Sequence, residues 1–190
     1  PHEPGCRPAG EPTPPPQPCG NRRAVCYTPR PMILTRDVIL AEISTPSYNN
    51  DIFFLKELKR QLGSKIIVAG QHPSALPKET LAENKFIDYV LVGEYEYLLK
   101  SVLDTPNLKT KILENHKLVG IDTIPWPARQ LFNMNLYNEP FCHSYPNIQM
   151  VASRGCYYRC SYCNTFLLYG GRNYRFRNPK DIVDEMEYCI

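Results

Sequence analysis

Three cysteines in the last quarter of the chain have the spacing of metal ligands. Cys156, Cys160 and Cys163 form a C-x3-C-x2-C pattern within eight residues. Soft thiolates at this density can hold three irons of a four-iron, four-sulfur cube. No fourth cysteine stands at a matching spacing, so the last iron would be open to another ligand, as in catalytic metal sites. The pattern therefore predicts a 4Fe-4S cluster with one free position.

A structural zinc site is the main alternative for these cysteines. Its fourth ligand would be Cys142, His143 or Cys189. Structural zinc sites are usually built from two pairs of ligands at C-x2–4-C spacing, and a second pair is missing here. A disulfide is less favoured than a zinc site, because pairing two of three neighbouring cysteines leaves the third unpaired. Three unrelated buried thiols are the remaining possibility.

The cysteine segment closely resembles the cluster loop of the radical S-adenosylmethionine enzymes. Residues 153–163 are S-R-G-C-Y-Y-R-C-S-Y-C, with Tyr162 directly before the last cysteine, and residues 174–179 with Glu185 are also typical of that family. The resemblance implies that the open iron binds the amino and carboxylate groups of S-adenosylmethionine. It also implies that an electron from the cluster cleaves the sulfonium to a 5′-deoxyadenosyl radical. Tyr162 would lie near the adenine, and a flavodoxin or ferredoxin would serve as reductant.

Strand and helix patterns alternate between residues 37 and 103. Short apolar runs predict buried strands, and apolar residues at helical spacing predict helices between them. This order implies a parallel sheet with right-handed crossovers. The expected fold class is α/β, a partial Rossmann-like (flavodoxin-like) sheet followed by the first strand–helix unit of a partial TIM-type barrel. The predicted strands are 38–43, 65–70 and 89–92, and the predicted helices are 51–62, one beginning at Pro77, and 94–103.

Three loops follow the carboxyl ends of the predicted strands, where parallel sheets bind ligands. Their sequences closely resemble cobalamin-binding domains fused to radical enzymes, through A-G-Q-H-P-S-A-L-P at 69–77, I-D-Y-V at 87–90 and G-E-Y-E at 93–96. Gln71 replaces the usual second glycine, and the cobalt-ligating motif D-x-H-x-x-G is absent, so no cobalt–histidine bond is expected. The resemblance implies cobalamin contacts from Ser44, Thr45, Gly70, Gln71, His72, Gly93 and Glu94.

Four parts are expected along the chain. Residues 1–30 form a proline-rich leader, predicted to be disordered, and its Cys6, Cys19 and Cys26 have no metal-site spacing. Residues 31–104 form an incomplete cobalamin-binding-like domain. Residues 105–147 form a linker with a predicted hairpin of 111–113 and 118–120. Residues 148–190 begin a radical S-adenosylmethionine domain, with a strand at 148–152 and a helix from 178.

Composition narrows the classes of function. The 190 residues are 43% hydrophobic with a net charge of +3, which argues against general nucleic-acid binding. No apolar run of membrane-spanning length and no secretory signal are found. Eight cysteines without a disulfide pattern favour a reducing, cytoplasmic location. The basic residues around the cysteines form either a solvated face or a set of cations that offset cluster charge: Arg154, Arg159, Arg172, Arg175, Arg177 and Lys180.

The favoured function is that of a radical S-adenosylmethionine enzyme with a cobalamin-binding domain, acting on an unknown small molecule. Its reaction would be methyl transfer to an unactivated carbon, or a radical cyclisation or rearrangement. One strand–helix unit of about 30 residues follows the cluster loop, and a barrel needs several. The sequence is therefore expected to be an N-terminal fragment that is inactive alone. A non-catalytic cobalamin or iron–sulfur binding module and an inactive truncated remnant are the alternatives.

Overall fold

The computed structural model describes residues 37–105, 107–115, 117–136, 141 and 147–190. The proline-rich leader with its three cysteines lies outside these residues. So do Cys142 and His143, the two alternative zinc ligands of the linker. Within the described ranges, none of the helices combines the length and apolar character needed to cross a membrane.

A four-stranded parallel sheet forms the centre of the structure, as expected for an α/β fold. Its strands are β1 (Val38–Glu42), β2 (Lys65–Ala69), β3 (Tyr89–Val92) and β4 (Ile112–Glu114), and they lie side by side in that order. Ile66 and Val68 of β2 face one layer of the core, and Ile67 and Ala69 face the other. Because both faces are covered, the strands appear in the sequence as continuous apolar runs.

Helices cover both faces of the sheet. They are α1 (Tyr48–Leu62), α2 (Gln71–Ala75), α3 (Pro77–Glu83) and α4 (Glu96–Asp104). Leu55 of α1 and Leu81 of α3 pack on one face, whereas Val102 of α4 packs on the other. The strand order continues in one direction while the helix changes face. The crossover from β3 to β4 therefore has the opposite hand to the two before it.

The predicted hairpin of 111–113 and 118–120 is wrong. Ile112–Glu114 instead forms β4, which pairs parallel with β3 in the register Val90 to Ile112. Ile112 and Leu113 pack into opposite layers of the core, and this burial is larger than a solvated hairpin would provide. Residues 118–120 form no strand, and the backbone N–H of Val119 binds the carboxylate of Glu94 instead.

The cysteine segment belongs to a separate, two-stranded ribbon. Strand β5 (Ser153–Gly155) pairs antiparallel with β6 (Tyr174–Phe176), and the helices α5 (Thr165–Leu168) and α6 (Pro179–Cys189) complete this part. The helix predicted from residue 178 is confirmed, with Asn178 capping it by accepting from the N–H of Lys180. Short 3-10 turns at Ile121–Thr123, Arg129–Leu131 and Met134–Leu136 lie in the connection between the two parts.

The strand predicted at 148–152 is wrong, because the strand lies at 153–155 instead. Arg177 explains the shift. Its backbone N–H donates to the carbonyl of Ala152, and its Nη1 donates to the carbonyl of Val151. Two carbonyls of the predicted strand, those of Val151 and Ala152, are thus bonded to Arg177, and that of Gln149 is bonded to Arg129.

Gly70, between β2 and α2, should not tolerate a side chain. Its φ is +100°, and an added Cβ would lie 2.9 Å from the backbone N and O of Ile43. Gly70→Ala is therefore expected to lower the free energy of unfolding by about 2 to 4 kcal/mol, measured by urea denaturation.

Gly63→Ala is the matched control for this prediction. Gly63 also has a positive φ, of +68°, but nothing lies within 4 Å of its added Cβ. It should lose only about 1 kcal/mol, the cost of the left-handed conformation. Equal losses in the two variants would contradict the close contact with Ile43.

Candidate functional site

The three predicted cluster ligands lie on one loop between β5 and α5. All three thiols are free; Cys156 and Cys163 are partly buried, and Cys160 is exposed. The N–H of Cys163 donates to the carbonyl of Cys160 at 3.2 Å, which turns the loop. In the part of the chain that the structure describes, no group of three or more Cys, His, Asp or Glu side chains is close enough to hold a metal ion. The sulfurs are accessible, and they are not gathered in advance.

Thr165 hydrogen bonds with one of these sulfurs. Sγ of Cys163 lies 3.1 Å from Oγ1 of Thr165, and this hydroxyl can donate to the thiolate. Hydrogen bonding with the side chain and then with the backbone of Thr165 lowers the pKa of Cys163. A lower pKa favours the thiolate, which is the form that ligates metals. Three accessible thiols in eight residues, one of them predisposed to ionise, fit the donor set of an iron–sulfur cluster.

The three predicted strand-end loops lie at the same edge of the parallel sheet. His72 is in contact with the first of them, because its Nδ1 lies 3.3 Å from Oγ1 of Thr45 and its ring stacks on Tyr48 at 3.9 Å. Ser44 turns away from this pair and hydrogen bonds to Ser47 at 2.8 Å. The structure therefore brings Thr45 and His72 together.

The second and third of these loops are also joined. The N–H of Gly93 donates to Oγ of Ser74 at 3.0 Å, and Gly93 has a φ of +80°. A Cβ on Gly93 would lie 3.4 Å from the carbonyl of Leu168 in α5. The backbone at the end of β3 thus approaches the helix that follows the cysteine loop.

A side-chain contact links the cysteine loop to the sheet. Asn164, the residue after Cys163, donates from Nδ2 to Oε1 of Gln71 at 3.2 Å. Gln71 was predicted as a ligand contact from sequence, and Asn164 was not singled out. The predicted cluster loop and the predicted ligand loops of the sheet are therefore neighbours.

Glu94 forms a second link, through two arginines of the ribbon. Its Oε1 accepts from Nη2 of Arg175 at 2.5 Å and from Nη1 of Arg154 at 3.2 Å. Its Oε2 accepts from the N–H of Val119 at 2.8 Å, and the side chain is only 3% exposed. The predicted ligand contact of Glu94 is untested, but both oxygens of its carboxylate are already bonded within the protein.

Most of the basic residues around the cysteines are paired with carboxylates, whereas Arg159 and Arg172 are exposed. Arg154 also pairs with Glu96 at 2.5 Å. Arg177 binds Asp181 and Glu185, each at 2.5 Å, and Lys180 pairs with Asp184 at 3.0 Å. Four of the six predicted cations are thus paired with carboxylates: Arg154, Arg175, Arg177 and Lys180.

An open cleft of about 390 Å³ lies at the ends of β3 and β4, facing α5. This volume falls in the range of small-molecule pockets, about 300 to 1,000 Å³. Its polar lining is Glu94, Glu114, Asn115, Lys117 and Asn173. Tyr162, the predicted adenine contact, does not line it, and its side chain is 90% exposed on the cysteine loop.

No family model matches the chain. It is 25% identical over 167 residues to an uncharacterised methyltransferase of Pyrococcus horikoshii, covering 78% of this chain and 36% of that protein. It is 24% identical over 136 residues to an uncharacterised methyltransferase of Synechocystis, covering 70% and 23%. The chain is similar to methyltransferases.

A shorter match falls on an enzyme with a more specific name. The chain is 35% identical over 72 residues to the cytidylyl-2-hydroxyethylphosphonate methyltransferase of Streptomyces wedmorensis, covering 35% of this chain and 13% of that enzyme. The chain spans about a third or less of the length of these methyltransferases.

Glu94 is expected to make the stability of the chain depend on pH. Burial works to raise the pKa of Glu94, but hydrogen bonds from Arg175, Val119 and Arg154 outweigh it and hold the pKa below 4.5. The stabilisation is therefore complete above the pKa of the unfolded chain and is lost as pH falls through the lower folded pKa. Glu94→Gln should lower the free energy of unfolding by about 2 kcal/mol at pH 7.

Urea denaturation of the wild type and the variant between pH 7 and pH 3 measures this effect. The difference between them should shrink once the pH falls below 4.5. Glu79→Gln, at an exposed position on α3, is the control and should show no comparable trend. A Glu94→Gln difference as large at pH 3 as at pH 7 would contradict an ionised, paired carboxylate.

Proposed function

We propose that this chain is the part of a radical S-adenosylmethionine methyltransferase that carries the cluster loop and a cobalamin-binding-like sheet. The observation that carries the proposal is the position of the C-x3-C-x2-C loop against the carboxyl end of the parallel sheet, through Asn164 and Gln71. Similarity to methyltransferases supports methyl transfer over a radical cyclisation or rearrangement.

Cys156, Cys160 and Cys163 are the proposed ligands of the 4Fe-4S cluster. When bound, the cluster supplies one-electron reduction of S-adenosylmethionine, with the electron arriving from a flavodoxin or ferredoxin. The chain itself supplies three thiolates, and Thr165 favours the ionised form of one. Tyr162, next to the last ligand, is the proposed contact of the adenine.

The loops of the sheet are the proposed cobalamin surface, opposite the cysteine loop. A cobalamin held there would supply a methyl carrier for a small-molecule substrate. The backbone of this surface at Gly93 lies close to α5, the helix after the cysteine loop, and the side chain of Gln71 binds Asn164, the residue after Cys163. With both groups bound, this chain would hold them next to each other, which is the protein's share of cofactor chemistry.

Anaerobic reconstitution with iron and sulfide tests the cluster. The expected result is one 4Fe-4S cluster per chain, with a paramagnetic resonance spectrum of the reduced cluster that changes when S-adenosylmethionine is added. Such a change would report a ligand at the open iron. Uptake of stoichiometric zinc with no uptake of iron would overturn the proposal.

Cobalamin is expected to bind without a histidine ligand from this chain. His72 is the one histidine among the described residues and lies in the proposed surface, where its Nδ1 is paired with Thr45 and its ring is stacked on Tyr48. The paramagnetic resonance spectrum of cobalt(II) cobalamin mixed with the protein should show no nitrogen coupling from His72. A coupling that appears in the wild type and disappears in His72→Ala would refute this, and an absorption titration without any change would count against the cobalamin surface itself.

A further inference from the structure

The ribbon of β5 and β6 has two chemically different faces. Arg154 and Arg175 are direct partners across the ribbon, and both reach Glu94. Successive side chains of a strand point to opposite faces. Tyr174 and Phe176, which flank Arg175 in β6, are accordingly exposed, at 42% and 67%. One face of the ribbon is thus cationic and turned to the sheet, and the other is aromatic and turned to solvent.

One carboxylate holds the cationic face. Glu94 is 3% exposed, and its two oxygens accept three hydrogen bonds, from Arg154, Arg175 and the N–H of Val119. A guanidinium with its planar set of donors fixes direction as well as distance. Glu94 therefore joins the end of β3, the segment at Val119 and both strands of the ribbon at a single point.

The cysteine loop is attached to the sheet at both of its ends. Arg154, held by Glu94 and Glu96, stands two residues before Cys156. Asn164, held by Gln71, stands one residue after Cys163. A shift of the ribbon relative to β3 would therefore move the first cysteine directly.

We propose that Glu94 is a positioning residue that sets the orientation of the cysteine loop relative to the carboxyl end of β3. This inference rests on the proposed function for what the loop holds, because a cluster and a ligand of the sheet must face each other at a fixed separation. Misplacement of reacting groups by about 1 Å can cost about a hundredfold in rate. Glu94 thus acts through Arg154 and Arg175, and it touches neither the cluster nor the substrate.

The test compares Glu94→Gln with Glu57→Gln in the full chain. Glu57 pairs with Arg60 on the exposed surface of α1, so the control removes the same charge from an ion pair far along the chain from the ribbon. Amide hydrogen exchange, measured on residues 153–163 and on β2, is the first readout. In Glu94→Gln, exchange of residues 153–163 should rise by about tenfold or more relative to that of β2, whose exchange follows the loss of overall stability.

The paramagnetic resonance spectrum of the reduced, reconstituted cluster is the second readout. The cysteines are unchanged in Glu94→Gln, so its iron content should match the wild type. Its spectrum in the presence of S-adenosylmethionine should broaden, since the loop would take several orientations. Arg175→Lys keeps the charge but not the planar donors, and it should give an intermediate exchange rate.

The outcomes separate this inference from the proposed function. If wild-type protein takes up no cluster, the proposed function fails, and the exchange data still decide whether Glu94 fixes the loop. If the cluster forms and Glu94→Gln matches Glu57→Gln in both readouts, the positioning role is overturned. A uniform rise in exchange that includes β2 would also overturn it, because Glu94 would then only stabilise the fold.

Discussion

Replacement of any one of Cys156, Cys160 and Cys163 by alanine is expected to remove most of the iron that the reconstituted chain binds. The three thiols are the proposed protein ligands of the cluster, and each would hold a different iron. After the substitution only two cysteine thiolates remain. The iron that lost its cysteine would need a ligand from the solvent or from an added thiol reductant. Iron and sulfide content and the absorption spectrum after anaerobic reconstitution measure the loss.

Cys189→Ala is the matched control, because this thiol is also free and partly buried but lies on α6. It should keep the wild-type iron content, as should Cys6→Ala and Cys19→Ala. If one variant of the loop retained full iron while Cys189→Ala lost it, the cluster would use another ligand set. Loss of tightly bound zinc in the loop variants would favour the alternative of a structural zinc site.

Most of the sheet could be predicted because its buried strands have a recognisable apolar sequence pattern. A strand buried on both faces is expected to be apolar, and residues 66–69 satisfy this after Lys65, so β2 was found from sequence. Strand β4 has only three residues and follows a polar segment, so its pairing with β3 is decided by the core into which Ile112 and Leu113 pack. Local pattern favoured a hairpin there, and tertiary burial outweighed it.

In the candidate site too, features set by neighbouring residues could be predicted from sequence, whereas contacts between distant residues could not. The spacing of the three cysteines is local and identifies them without a structure. That the sheet loops share one edge follows from the parallel topology. The pairing of Glu94 with Arg175 joins residues 81 positions apart, and no local pattern gives the partner of a charge. Sequence thus showed a cluster of arginines, and only the structure showed the carboxylates that hold them.

Glu185→Ala is expected to be the most destabilising single change in the part of the chain that carries the cysteines. Glu185 on α6 is 1% exposed, and its Oε1 pairs with Nη1 of Arg129 at 2.6 Å and its Oε2 with Nη1 of Arg177 at 2.5 Å. Removing Glu185 takes this carboxylate from the buried guanidinium of Arg129 and leaves Arg177 with Asp181 alone. Such a loss typically costs about 3 to 5 kcal/mol, which urea denaturation would measure.

The position of Glu185 gives this loss a local consequence. The two arginines also donate to the carbonyls of Gln149 and Val151, in the segment that leads into β5. The segment before the cysteine loop should therefore lose its order together with the ion pairs, and its amides should exchange faster in Glu185→Ala than in the wild type.

Glu187→Ala is the control that distinguishes the loss of the buried ion pairs from a general effect of substitution in α6. Glu187 is exposed on the same helix, and its replacement should change the free energy of unfolding by no more than about 0.5 kcal/mol. The double variant Glu185→Ala with Arg177→Ala should cost less than the sum of the two single changes, because the second removes a charge that the first left unpaired. Strict additivity would mean that Glu185 and Arg177 do not stabilise each other.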